Sequence, residues 1–345
     1  MVRAGETRSP AGLSTLFDGL ATMFNRLLIG ALFTLLCPLL APARASPPAT
    51  VGFQYARMPD GTEIGIWYPT CGTTQHQALG LYEQDCVVGT EPVGSAHPLV
   101  VLSHGNGGSF TGHLDTAQAL ARAGFIVATL THPGDNWQDQ SAATRIERRP
   151  VALSALITYM LQAWPSRNRI DAARVGAFGF SAGGFTVLAA AGARPDLAQF
   201  APHCREHPGF YDCVLLRAHP RENGGHGWVG RRDGRIKAIV VAAPALGFAF
   251  DRTGLAPVTI PVQLWKAGRD AILPAPYYAD VVRDNLPQVP DFHLVPDAGH
   301  FDFLAPCIAT AMSNPICTSR AGFDRSAFHA RFNAAVVRFF QSHLR

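Results

Sequence analysis

Lysine is nearly missing from this sequence: Lys237 and Lys266 are the only two, although lysine and arginine together number 29. The arginines are scattered, no basic block forms, and the formal charge is only +4, so nothing marks a nucleic-acid partner. Long apolar runs are scarce as well. The one candidate, Leu27 to Ala41, is interrupted by Pro38 and falls short of the about 20 residues that a membrane-spanning helix needs. No internal repeat, low-complexity tract or recognised metal-ligand spacing occurs. What remains, 48% hydrophobic and 16% charged residues in a chain of 345, is the composition of an ordinary globular protein.

The apolar run follows Arg26 and precedes Ala43-Arg44-Ala45, a small-x-small cleavage site, so residues 1–45 are expected to be a secretory signal peptide. Counted from Met1 this leader is longer than the usual about 15–30 residues, whereas counted from Met23 it fits, which points to translation from Met23. Lipid attachment at Cys37 is the competing reading, opposed by Leu36 where a small residue would be needed. Export to the periplasm or beyond changes how cysteine is read. Residues 46–345 hold six cysteines in three sequence-local pairs, Cys71 with Cys86, Cys204 with Cys213 and Cys307 with Cys317, and disulfides over these spacings are expected. A metal site built from His203, Cys204, His207, Cys213, His219 and His226 is the alternative; no metal is expected.

The chain is organised around Arg174-Val-Gly-Ala-Phe-Gly-Phe-Ser-Ala-Gly-Gly-Phe185. An apolar strand-like run passes through Gly179-Phe180-Ser181-Ala182-Gly183, its single Gly-x-Ser-x-Gly, into a helix-like run from Thr186 to Ala193. Small residues at 179 and 183 let a serine stand clear at a sharp strand-to-helix turn, where helix N–H groups can stabilise a negative oxygen. The bland alternative is a glycine-rich turn that happens to hold a serine.

Around it, Val51 to Met58 and Thr62 to Tyr68 read as a β-hairpin turning at Pro59-Asp60-Gly61. Residues 69–98, polar and glycine-containing, read as a surface loop. The apolar run Pro98 to Gly105 reads as a strand entering a glycine-rich turn, and Phe125 to Thr131, Ile236 to Ala243, Val262 to Ala267 and Phe292 to Val295 also read as strands. Helical patterns lie between them, near 114–123, 146–164 and 277–286, and a last helix runs from Asp324 to His343. Phe323 and Phe328 would form a hydrophobic staple about an Asp324 N-cap. Strands that are apolar along their whole length and alternate with helices predict a mostly parallel sheet covered on both faces, and the strand-turn-helix pattern at Ser181 makes the expected architecture over residues 46–345 an α/β-hydrolase fold. Residues 195–235 break the pattern after the nucleophile helix and would form either a cap-like insertion over the site or a solvent loop.

Serine needs a base, and the base an orienting acid. His300 follows the last strand and Asp270 the strand before it, which places Ser181, Asp270 and His300 in the order that this fold uses. Asp297 and Asp302 are competing acids. The oxyanion donors are expected to be the backbone N–H groups of Ala182 and of Asn106, with Gly105, Phe180 and His132 bordering the substrate; His104 would shape the rim or support a loop.

Several stretches together carry a family resemblance: Ile66-Trp67-Tyr68-Pro69, Val101-Leu-Ser-His-Gly-Asn-Gly-Gly108, His132-Pro-Gly-Asp135, Gly179-Phe-Ser-Ala-Gly-Gly184 and Ala298-Gly-His-Phe-Asp-Phe303. On these the chain resembles bacterial dienelactone-hydrolase-like α/β-hydrolases, related to platelet-activating-factor acetylhydrolases. The resemblance implies a serine esterase whose second oxyanion donor follows His-Gly, hence Asn106. It departs from dienelactone hydrolases proper, which use cysteine where this chain has Ser181, so dienelactone is not the expected substrate.

The expected activity is therefore an exported serine hydrolase of carboxylic esters, without cofactor, acting on small, lipid or polymeric esters. A serine peptidase or amidase of the same fold and a non-catalytic binding module that kept the fold are the alternatives.

Overall fold

The computed structural model describes residues 50–220, 228, 230 and 232–345. The expected leader over 1–45, Met23 and Cys37 lie outside them, as does His226.

Strands β1 (Thr50–Arg57) and β2 (Glu63–Thr70) pair antiparallel across the expected turn. There Asp60 Oδ1 accepts the Thr62 N–H at 3.0 Å and Gly61 takes φ +85°. The next stretch departs from expectation: residues 69–98 are no loop but contain a hairpin of β3 (Gln75–Leu79) and β4 (Tyr82–Val88). β3 is an edge strand with largely solvated side chains, so it carries no apolar run to announce it. On β4, Tyr82, Gln84 and Cys86 turn inward, and the buried Gln84 accepts the Trp67 indole N–H at 2.7 Å.

That alternation overturns the Cys71–Cys86 pairing. Cys86 points into the core from β4, whereas Cys71 sits exposed just past β2, and both are free thiols. The other two pairs are joined, Cys204 to Cys213 and Cys307 to Cys317, with Cα separations of 5.3 and 5.6 Å.

Six parallel strands follow in the sheet: β5 (His97–Ser103), β6 (Ile126–Leu130), β7 (Ile170–Phe180), β8 (Ile236–Ala242), β9 (Val262–Ala267) and β10 (Asp291–Val295). The strand order is β10-β9-β8-β7-β5-β6-β2-β1-β4-β3, parallel from β10 through β6. Helix α1 (Leu114–Arg122) links β5 to β6, α2 (Arg148–Gln162) links β6 to β7, and α3 (Ala182–Ala190) links β7 to β8.

The expected covering of both faces is found. α2 and α3 bury Leu153, Leu156, Ile157, Phe185 and Leu188 on one face, and α1 with α8 (Arg325–His343) buries Leu114, Leu120, Phe332 and Phe340 on the other. α8 starts as its sequence foretells, with Asp324 accepting the Ala327 N–H at 2.8 Å and the Phe323 and Phe328 rings 5.7 Å apart. Along the second half of β7, Val175 and Ala177 face one core while Phe178 and Phe180 face the other, which is why residues 175–180 are apolar without alternation.

Within 195–235, α4 (Phe200–Glu206) and α5 (Tyr211–Ala218) are tied by the Cys204–Cys213 disulfide. Beyond them come the short α6 (Arg252–Leu255) and α7 (Ala279–Asn285), the latter starting two residues later than its sequence pattern suggests. The chain leaves β5 for β6 on one side and returns to β7 on the other. Their carboxyl ends therefore flank a crevice at a topological switch point, the usual place for a ligand in such sheets.

Candidate active site

β7 ends in that crevice, and the next residue is Ser181. Its backbone takes φ +55° and ψ −119°, outside the regions a side chain ordinarily prefers, and is held there by bonds from its N–H to the Ala242 carbonyl (3.0 Å) and from the Ala245 N–H to its own carbonyl (2.9 Å). Only glycine fits on either side. A Cβ at residue 179 would lie 2.0 Å from the Gly183 carbonyl oxygen, and one at residue 183 would lie 1.9 Å from that of Ser103.

Three side chains that the sequence keeps 30 and 119 residues apart meet here. Ser181 Oγ lies 3.0 Å from His300 Nε2, and His300 Nδ1 lies 2.7 Å from Asp270 Oδ2. A carboxylate only accepts, so Nδ1 carries the imidazole proton and Nε2 turns a lone pair to the serine hydroxyl. Asp270 is itself fixed, its Oδ1 accepting the backbone N–H groups of Ile272 (3.0 Å) and Leu273 (2.7 Å). The two loops are sewn together by bonds from Gly268 N–H to the Val295 carbonyl and from Arg269 N–H to that of Ala298.

The competing acids are engaged elsewhere. Asp302 accepts from the Gly299 N–H (2.7 Å), Ser319 and Arg325, and Asp297 pairs with Arg320 at the surface.

Of the residues expected to border the substrate, Gly105 and Phe180 line the crevice, Phe180 packing its ring 4.7 Å from that of His300. His132 does not. It is buried beneath the crevice, its Nε2 2.8 Å from Ser103 Oγ, while its backbone N–H donates to His104 Nε2 at 2.9 Å. Both histidines are held well below the ordinary imidazole range, by burial first and then by the charge of Arg149, so His104 is neutral and free to accept. Asn106 follows β5 at the crevice, and Ala182 opens α3. Neither backbone N–H donates to a protein acceptor among the described residues.

The crevice opens into a cavity of about 780 Å³ walled by the β3–β4 turn, Phe110, Trp137, Ile272, Leu304 and Ile316. A second space of about 50 Å³ reaches Ser181 and Ala182 between Leu215, Leu246 and Leu273. The insertion takes part: Tyr211 of α5 borders both spaces, and its hydroxyl donates to Asn106 Oδ1.

The proposed metal cluster has another use. The joined Cys204 and Cys213 offer no thiolate, while His203 stacks on Phe248 at 3.7 Å and meets the Tyr278 hydroxyl, which donates to Asp212 at 3.0 Å.

Sequence reasoning passed over Tyr211, Thr186 and Arg149 and assigned Asp135 no role. The one available signal was Arg149 itself, a charge at the start of a helix whose following turns are apolar.

Residues 112–213 match the prolyl oligopeptidase family. No curated protein matches the chain by sequence. Among solved structures, a ferulic acid esterase from Streptomyces cinnamoneus is similar with a TM-score of 0.57 and 19% identity, over 89% of this chain and 92% of that one. With the sheet order, the crossovers and the strand-turn-helix at Ser181, these likenesses assign the chain the α/β-hydrolase fold.

Proposed function

We propose that the protein is a serine hydrolase of carboxylic esters, acting through an acyl-enzyme on Ser181. The observation that carries the proposal is the unbroken hydrogen-bonded chain Ser181–His300–Asp270 at the mouth of an apolar cavity.

In this reading Ser181 Oγ attacks the acyl carbon as its proton passes to His300 Nε2, and Asp270 holds the imidazolium in place. The oxyanion of the tetrahedral intermediate takes hydrogen bonds from the Asn106 and Ala182 N–H groups. His300 then gives its proton to the leaving alkoxide oxygen. Water, deprotonated by the same imidazole, adds to the acyl-enzyme and releases the acid. Neutral esters with an extended apolar group suit the cavity. Its described lining holds no lysine or arginine, and its one carboxylate, Glu63, is taken up by Arg57 at 2.6 Å. The two disulfides fit an oxidising compartment and support export.

Amide cleavage is a second reading, favoured by the match to the prolyl oligopeptidase family over 112–213. A series of p-nitrophenyl esters run beside aminoacyl anilides, on wild type and Ser181→Ala, separates the two. Ester turnover abolished by the substitution is expected. Turnover of anilides alone would transfer the assignment to peptidase, and equal ester turnover in Ser181→Ala would end both.

A further inference from the structure

We infer that Arg149 is a positioning residue that sets the spacing between the two oxyanion donors, Asn106 and Ala182. The inference rests on the ester-hydrolase reading and adds to it a residue remote from the substrate.

The Arg149 side chain is 3% exposed, and its three nitrogens are all engaged: two on the donor segments themselves and the third on Asp135, which in turn holds one of those segments. Nη1 donates to Asp135 Oδ2 at 2.5 Å. The other oxygen of that carboxylate accepts Asn106 Nδ2 at 2.5 Å and the Gly107 N–H at 3.1 Å, so Asp135 holds the turn that carries the Asn106 N–H at two points. Nη2 donates to the carbonyl of His104, two residues before Asn106. Nε donates to Thr186 Oγ1 at 3.2 Å, and that hydroxyl donates to the carbonyl of Ala182 at 2.7 Å. One rigid guanidinium plane thus reaches the β5 turn once directly and once through Asp135, and the start of α3 through Thr186.

Guanidinium geometry matters here because a planar fork fixes three directions at once, whereas an ammonium is a single point charge on a flexible stem. Stability alone is a poor account of the arrangement. A buried ion pair is often no better than apolar side chains of similar volume, and α2 already packs through Leu153, Leu156 and Ile157. An oxyanion site, in contrast, works only if its donors are held where charge will develop, and a misplacement of about 1 Å costs on the order of a hundredfold in rate.

The test compares Thr186→Val, which removes only the hydroxyl link, with Thr186→Ser, which keeps it, and with Arg149→Lys, which keeps the charge. The readouts are kcat and KM on p-nitrophenyl butyrate, the inhibition constant of an aryl trifluoromethyl ketone, whose hemiketal carries an oxyanion, and melting temperature. Expected are kcat and ketone affinity falling together, by about tenfold in Thr186→Val and about a hundredfold in Arg149→Lys, with KM within about twofold and Thr186→Ser close to wild type.

Ketone affinity unchanged while kcat falls, or Thr186→Ser behaving like Thr186→Val, overturns the inference. If Arg149→Lys does not fold, the Thr186 pair decides by the same criteria. A wild type that is active and labelled at Ser181 by a fluorophosphonate, beside variants indistinguishable from it, removes this inference alone. A wild type inert in both assays removes the hydrolase reading and this inference with it.

Discussion

His329 Nδ1 lies 2.6 Å from Asp115 Oδ2, and its Nε2 lies 2.9 Å from the carbonyl oxygen of Asp302, two residues past His300. A carboxylate and a carbonyl both accept, so both ring nitrogens donate and the buried imidazole is an imidazolium. Burial alone would lower its pKa, but Asp115 and the Asp302 carbonyl outweigh burial and the opposing charge of Arg325, and the net shift is upward. Burial likewise pushes the Asp115 carboxyl up, yet His329 and Asn333 overcome it, with His113 also facing the pair, and hold it at about 2. The contribution of His329 is whole below the ordinary imidazole pKa and is lost as pH rises through its raised value. That of Asp115 is whole above the ordinary carboxyl range and is lost as pH falls toward 2. Urea unfolding across pH should therefore show a plateau of stability from weakly acid to neutral pH that declines on both sides. His329→Gln should cost about 3 kcal/mol on that plateau and flatten the alkaline decline. An unchanged alkaline limb in the variant would contradict the charge assigned to His329.

Asp270→Asn keeps the shape of the side chain while giving it an amide. The acid that now accepts His300 Nδ1–H at 2.7 Å would no longer enforce that tautomer. On the proposed mechanism kcat falls by about 10⁴ at neutral pH with little change in KM or melting temperature. Steady-state kinetics with p-nitrophenyl butyrate provides the check, and a loss of less than about tenfold would exclude Asp270 as the orienting acid.

Among the described residues four cysteines are joined and two are free, which makes a chemical prediction. In the native protein Cys71, which is exposed, reacts with a maleimide, while Cys86 resists, its burial pushing the thiol up to about 12. Unfolding without reductant should expose Cys86 and leave two cystine peptides, 204–213 and 307–317. A Cys71–Cys86 cystine in that map would contradict the β4 register. Cys307→Ser, opening the loop next to the cavity wall at Ile316, should cost about 2–3 kcal/mol in chemical denaturation.

Leu304 stands on the wall of the large cavity. Leu304→Trp should fill part of that space and lower kcat/KM for octanoate and longer esters by about tenfold or more relative to acetate. Equal effects along a p-nitrophenyl ester series would show that the apolar group of the substrate lies elsewhere.

Much of the framework was written locally. The Asp60-Gly61 turn, the staple at Phe323 and Phe328, the apolar runs of the strands, and the glycines at 179 and 183 each depend on neighbours within a few residues or on a face buried whatever lies opposite. Such features survive in a one-dimensional string because backbone preference and hydrophobic period are properties of short windows. The polar partnerships are of another kind. Three acids stood near enough in sequence to serve His300, and only the folded chain turns Asp270 toward it while Gly299, Ser319 and Arg325 occupy Asp302. The β3–β4 hairpin escaped notice because an edge strand needs few apolar side chains, and its inward alternation is what separates Cys86 from Cys71. Arg149 reaching both Asp135 and Thr186 is likewise a product of the fold, since hydrogen bonds between distant segments leave no period in the sequence. Residue order determined which elements form and where Ser181 stands; tertiary packing decided which charges face one another.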